Sequence, residues 1–224
     1  MIDELVKKRI IAQLKPGKTA LVVVDVQNDF CHVDGVFGKR HFDLSHVEKS
    51  VDRLLPFIAQ CRQWSAPIVF VRTIHSNWTD SDAWVGRLAG AGKEMPICRP
   101  DTWGAEFYKV EPQASDFITT KHRFSGFVGT DLSLVLRARG IETLLMTGVA
   151  SNVCVETTAR DGYNLDFRII FVEDCCGAFS ADEHASSIVN MNKYFGVATD
   201  SQALSEIMKG RDSERQVTTR TGRG

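Results

Sequence analysis

The stretch Ala20-Leu-Val-Val-Val-Asp-Val26 constrains the fold of this chain most, because its apolar residues run on without alternation. A strand with one wet face alternates polar and apolar residues; an unbroken run suits a parallel strand buried on both faces. The pattern recurs at Pro67–Val71, Phe117–Thr120, Thr143–Met146 and Phe167–Val172, with Val197-Ala198 as a short sixth strand. Helical stripes lie between these runs. Ile2, Leu5, Val6, Ile10 and Leu14 form one, closed by Lys15-Pro-Gly17. Val47, Val51, Leu54, Leu55 and Ile58 form a second, with Pro56 as an expected kink. Asp131–Arg139, Ala181–Phe195 and a last helix from Asp200 through Met208 follow. Residues 31–43 carry turn signals and read as a loop. Residues 74–112, with Trp78, Trp84 and Trp103, have no clear periodicity and read as a functional lid or binding loop.

Strands alternating with helices imply an α/β fold, a three-layer Rossmann-like arrangement around a central, mostly parallel six-stranded sheet. At 224 residues the chain suits one domain, taken as residues 1–210, with a polar and mobile tail at 211–224. A net charge of −1, from 27 basic and 28 acidic residues, exerts no long-range pull on nucleic acid or an anionic membrane. No apolar run reaches transmembrane length, and the first residues are a polar helical pattern rather than a signal peptide. The cysteines Cys31, Cys61, Cys98, Cys154, Cys175 and Cys176 show no CxxC pairing, which argues against a zinc ribbon or a thioredoxin motif. Reduced thiols in the cytoplasm are the expectation.

Parallel sheets of this kind hold ligands beyond the carboxyl ends of their strands. Asp25 closes the first strand, Lys121 closes the third, and Cys154 follows the fourth, so all three point to one crevice. Ser151 or Asn152 caps the helix after the fourth strand and puts Cys154 in its first turn, where helix N–H groups and dipole favour a thiolate. Asp25 then removes the thiol proton, Lys121 stabilises the sulfur anion, and the backbone N–H groups of Ala150 and Cys154 receive an oxyanion. A lone cysteine is usually a small buried hydrophobe. The acid and the ammonium on neighbouring strand ends tip Cys154 toward a nucleophile.

Three separated segments carry a family resemblance. They are Val24-Asp-Val-Gln-Asn-Asp-Phe30, Lys121-His-Arg-Phe-Ser-Gly-Phe127, and Thr147-Gly-Val-Ala-Ser-Asn-Val-Cys-Val155 with Thr158-Ala-Arg-Asp161. In this order and spacing the chain resembles the isochorismatase-like cysteine hydrolases. The resemblance implies Asp25, Lys121 and Cys154 as the triad and a cis peptide between Val149 and Ala150. It implies hydrolysis of a small amide, ureido compound or vinyl ether, without cofactor, in a homo-oligomer such as a dimer or tetramer. Nicotinamidases of the superfamily bind metal through an Asp and two closely spaced His after the second strand. Here Arg72-Thr-Ile-His75-Ser-Asn-Trp78 supplies one His, so no metal is expected. The second and third motifs are most similar to ureidoacrylate, biuret and N-carbamoyl amidohydrolases, which implies a ureido or carbamoyl substrate.

Gln27, Asn28, Arg123, Phe127, Ser151 and Asn152 are candidate substrate contacts, and Arg123, Arg87 and Arg99 are candidate partners for a substrate carboxylate. Each has a plainer reading: Gln27 and Asn28 as turn formers, Ser151 and Asn152 as caps, the tryptophans as an interface between subunits. Two other functions fit the same motifs, a nicotinamidase-type amidase and a catalytically silent member that binds a ligand or partner.

Overall fold

The computed structural model describes residues 4–86 and 96–221, with side chains through Arg211. Helix α1 spans Glu4–Gln13 and leads into strand β1, Thr19–Val24. Two short helices follow, α2 (Asn28–Cys31) and α3 (Val36–Lys39), the second inside the segment 31–43 that reads as a loop. The Asp29 carboxylate builds that corner by accepting the Val36 N–H at 3.2 Å and the Cys98 N–H at 2.6 Å. Such tertiary bonds leave no mark on local periodicity. Helix α4 runs unbroken over Ser45–Gln63 with Pro56 inside it. Then come β2 (Ile68–Thr73), α5 (Asp82–Gly86), β3 (Phe117–Lys121) and α6 (Leu132–Ala138). The remainder is β4 (Thr143–Val149), α7 (Glu156–Asn164), β5 (Arg168–Gly177), α8 (Ala181–Asn190), β6 (Gly196–Thr199) and α9 (Ser201–Thr221).

Several boundaries differ from the sequence reading: β4 runs on to Val149, and the helix expected over Ala181–Phe195 is α8 to Asn190 and then a π-helical turn over Met191–Phe195. Strand β5 runs five residues past Val172, to Gly177, through a register shift against β4 between Met146 and Gly148. Helix α9 continues past Met208 to Thr221, into the polar segment. Lys209, Arg211, Glu214, Arg215 and Gln216 are good helix formers, so the helix needs no apolar stripe to go on.

The sheet has the order β3-β2-β1-β4-β5-β6, and every pairing is parallel. All six residues of β1 are buried. Leu21 and Val23 pack with α1, α4 and α9 residues such as Ile10, Leu54 and Leu204 on one face. Ala20, Val22 and Val24 pack with α6 and α7 residues such as Leu132, Leu136 and Ala159 on the other. Two buried faces explain the unbroken apolar run. The chain builds outward from β1 through β2 to β3, then returns to β4 on the other side of β1. The switch in direction therefore falls between β1 and β4, where a crevice opens above the carboxyl ends.

Candidate active site

Strands β1, β2 and β3 lie side by side, with Val24 opposite Val71 and Thr73 opposite Lys121. Asp25 follows β1 directly, in a left-handed conformation with φ of 52°. That region is unusual for a residue with a Cβ, and Asp tolerates it better than most. Three polar side chains thus leave three adjacent strand ends. Lys121 Nζ lies 2.7 Å from Asp25 Oδ2, 2.8 Å from Thr73 Oγ1 and 3.0 Å from the carbonyl oxygen of Arg123. Thr73 Oγ1 donates in turn to Asp25 Oδ1 at 2.8 Å. Asp25 and Lys121 are each 1% exposed, a burial that charged groups tolerate only when paired and hydrogen-bonded.

On the other side of β1, Gly148 brings β4 close. Its φ is 113°, and a Cβ there would lie 2.0 Å from the carbonyl oxygen of Val24. Only glycine permits that approach. The Val149–Ala150 peptide is cis, as the family resemblance implies. The Ala150 carbonyl accepts N–H groups from Val153 and Val155, both at 3.1 Å, closing a π-helical turn over Ser151–Val155. Cys154 sits on this turn, before α7 begins at Glu156, and not in the first turn of an α-helix. π-Turns of this kind recur at functional sites. Cys154 Sγ is 3.4 Å from Lys121 Nζ, the same ammonium that pairs with the Asp25 carboxylate. Three points far apart in the chain therefore meet around one sulfur.

The electrostatics of the sulfur are set by opposing influences. Burial pushes the Cys154 thiol up to about 12; Lys121 pulls it down and Asp25 pushes it up again. These influences work against the acidic sulfur that a helix N-terminus would favour. For Lys121, burial works against the ammonium, but Asp25 and Cys154 outweigh it and hold the group above its ordinary value. The centre therefore contains a cation with a carboxylate on one side and the Cys154 sulfur on the other.

The group opens into a cavity of about 290 Å³ bordered by Asp25, Thr73, Lys121, Ala150 and Cys154. Of the candidate substrate contacts, Arg123 borders it and the other five do not. Gln27 spends its amide on backbone, donating to the carbonyls of Thr73 and Ala105 and accepting the Thr73 N–H. Asn28 donates to the Trp103 carbonyl. Phe127 packs against Phe167 in the core. Ser151 is buried and turned to His184, with 2.9 Å between Oγ and Nδ1, and caps nothing. Asn152, on the same turn, neither caps α7 nor faces the opening. Arg99 is tied to Asp80 at 2.6 Å, and Arg87 lies outside the described residues. Trp84 lines the cavity, while Trp78 is 98% exposed and Trp103 packs on His32. His75 also borders the cavity, 3.8 Å from Asp80. Cys31 and Cys98 are buried and do not reach it.

Sequence reasoning missed Thr73 and a wall made of Phe30, Phe37, Phe42 and Phe179. Thr73 had a usable signal, since it ends β2 as Lys121 ends β3. The phenylalanines had none, because they come from α2, α3, the loop after α3 and the segment after β5.

The isochorismatase domain model matches residues 19–203, nearly all of the sheet and its helices. The chain is 31% identical over 207 residues to the ureidoacrylate amidohydrolase RutB of Klebsiella pneumoniae subsp. pneumoniae, covering 84% of this chain and 86% of that one. Among solved structures, a cysteine hydrolase from Pseudomonas syringae pv. phaseolicola superposes with a TM-score of 0.74 at 25% identity, covering 88% of this chain and 95% of the other. The N-carbamoylsarcosine amidase of Thermoplasma acidophilum gives 0.66 at 28% identity, with coverage of 82% and 96%.

Proposed function

The chain belongs to the isochorismatase family, and from that premise we propose that it is a cysteine amidohydrolase cleaving a C–N bond of a small ureido, carbamoyl or amide compound. One observation carries the reading. Cys154 Sγ lies 3.4 Å from an ammonium that is itself 2.7 Å from a buried carboxylate, at the floor of an open cavity. The likeness to a ureidoacrylate amidohydrolase and an N-carbamoylsarcosine amidase supports the substrate class.

In this mechanism Cys154 attacks the carbonyl carbon as its proton passes to Asp25. Lys121 balances the charge on sulfur and carboxylate throughout. The N–H groups of Ala150 and Cys154 receive the oxyanion, an interaction worth about 3 kcal/mol of barrier per donor. Asp25 returns the proton to the departing nitrogen as the C–N bond breaks, leaving an acyl or carbamoyl group on Cys154. Water attacks next, its proton goes to Asp25, and the S–C bond breaks to restore the thiol. A thiol raised by burial suits this scheme, because the proton leaves only when the new bond forms.

The reading includes one hydrolase domain over residues 1–210 and assembly into a dimer or tetramer, for which exposed Leu134, Val189 and Tyr194 offer apolar surface. It includes a cytoplasmic setting, which six unpaired cysteines suit. Among the described residues no helix is long and apolar enough to cross a membrane.

The test is ammonia release from ureidoacrylate, biuret, N-carbamoyl amino acids and nicotinamide by the wild-type protein and Cys154→Ala. The expected result is turnover of at least one ureido compound and loss of more than about 10⁴-fold in the variant. Turnover that survives the substitution rejects Cys154 as nucleophile.

A further inference from the structure

The cavity above Cys154 is built for more than a urea. Its volume of about 290 Å³ is at the small end for ligand pockets, enough for one ring and a polar arm. Two groups of side chains give it character. Phe37 is the centre of the first, with ring centroids 5.3 Å from Phe30, 4.8 Å from Phe42 and 4.7 Å from Phe179. The four rings form a continuous apolar surface, and the Arg40 side chain borders the cavity with them. Trp84 is the centre of the second. Its ring lies 4.9 Å from Phe124 and carries the Arg123 guanidinium at 4.8 Å.

Arg123 is held but not neutralised. Its Nη1 donates to the carbonyls of Thr79 at 3.1 Å and His122 at 2.6 Å, both uncharged acceptors. No carboxylate among the described residues pairs with it. The carboxylate that borders the cavity, Asp25, is committed to Lys121 at 2.7 Å. A guanidinium over an indole at the cavity border, held by neutral carbonyls alone, can receive a planar anion. An apolar wall beside it selects what that anion is attached to.

We propose that the substrate is an N-carbamoyl amino acid or close ureido analogue with an aromatic side chain: its carboxylate pairs with Arg123 and its ring lies on the Phe37–Phe42–Phe179 wall. The proposal rests on the cysteine amidohydrolase reading and narrows its substrate class. Attack of Cys154 Sγ on the ureido carbon expels the terminal nitrogen as ammonia, protonated by Asp25. Water then cleaves the thiocarbamate, and the released carbamic acid breaks down to the amino acid and carbon dioxide.

The test compares N-carbamoyl-phenylalanine with N-carbamoylglycine, which lacks the ring, and with phenethylurea, which lacks the carboxylate. With the full-length protein, kcat/KM for the first should exceed that for N-carbamoylglycine about 10- to 100-fold. It should exceed that for phenethylurea about 100-fold. Arg123→Gln should erase the preference over phenethylurea and spare the preference over N-carbamoylglycine, and Arg123→Lys should restore part of it. Phe42→Ala should do the reverse; Phe42 is 44% exposed, so its truncation leaves the core intact. Equal or greater activity on N-carbamoylglycine or ureidoacrylate overturns the proposal, as does an Arg123→Gln loss that is the same for all three compounds. A second readout, protection of Cys154 from iodoacetamide, needs no turnover. N-carbamoyl-phenylalanine should protect at the lowest concentration, and absence of protection by it overturns the proposal. Turnover that persists in Cys154→Ala rejects the hydrolase reading itself. Cys154-dependent turnover without ring or carboxylate preference rejects only the substrate class.

Discussion

The strand-end centre and the cavity wall sit against each other and are made in opposite ways. Asp25, Thr73 and Lys121 leave adjacent parallel strands, and the register of the sheet fixes their spacing. The wall is assembled from Phe30, Phe37, Phe42, Phe179, Trp84 and Arg123, which come from short helices and loops in separate parts of the chain. The difference divides the labour of the site. Chemistry that needs ångström-level geometry is carried by the sheet, and recognition that must suit one substrate is carried by connections that vary without disturbing it.

The largest expected effect tests the strand-end side at its base. Asp25→Asn leaves the Cys154 thiol, pushed up to about 12, without the carboxylate that takes its proton, and leaves Lys121 without its counter-charge. Loss of kcat by about 10²- to 10⁴-fold is expected, together with a marked loss of stability from the unpaired ammonium. Alkylation of Cys154 in the wild-type protein checks the premise. Its rate should climb with pH through the alkaline range with no plateau near neutrality, since only the thiolate reacts. A plateau at neutral pH would mean a resting thiolate and would blur the contrast with cysteine sites that store the anion.

Thr73→Val is the next largest and the sharper probe, because it removes one hydroxyl while keeping shape. Lys121 loses a 2.8 Å acceptor and Asp25 a 2.8 Å donor, yet their own 2.7 Å contact remains. A fall in kcat of about 10- to 100-fold with little change in KM is expected, and urea denaturation should show about 1–3 kcal/mol of lost stability. A change confined to KM would move Thr73 from the positioning of the pair to the substrate surface.

Sequence reasoning reached the first side of the comparison far better than the second, for a physical reason. A strand buried on both faces must be continuously apolar, so a polar residue at its end stands out, and parallel order sends successive ends to one rim. Asp25, Lys121 and Cys154 were readable on that basis. Family likeness added the cis peptide at Ala150, which no local pattern encodes. The wall escaped because a phenylalanine in a loop or a four-residue helix has no periodic partner. Gln27, Asn28 and Ser151 misled for the converse reason: their position beside the motif is local, but their bonds to Thr73, Trp103 and His184 are tertiary. The dipole argument for Cys154 weighed the helix terminus, whereas the sulfur sits on a π-helical turn where desolvation opposes the anion.

The smallest expected effect comes from behind the nucleophile turn, where it touches helix α8 and, through it, α4. Ser151 Oγ lies 2.9 Å from His184 Nδ1, and the His184 ring packs 4.5 Å from that of His46, whose own Nδ1 accepts the Ala178 N–H. Burial, aided by His46, lowers His184 from 6.5 to about 4, and burial lowers His46 as well. The unfolded chain therefore takes up a proton near 6.5 that the folded chain refuses until about 4. Stability that is full above the higher value drains away as pH falls through this window, and the loss levels off below it. His184→Gln keeps a polar partner for Ser151 and removes the proton site, so its urea midpoint should decline less than wild type between neutral pH and pH of about 4.5. Activity at neutral pH should change by no more than a few-fold, because neither Ser151 nor His184 borders the cavity. An equal decline in both proteins would assign the acid sensitivity to carboxylates elsewhere. A large loss of kcat at neutral pH would show that the turn holding Cys154 depends on this helix-borne histidine as much as on the strand that delivers it.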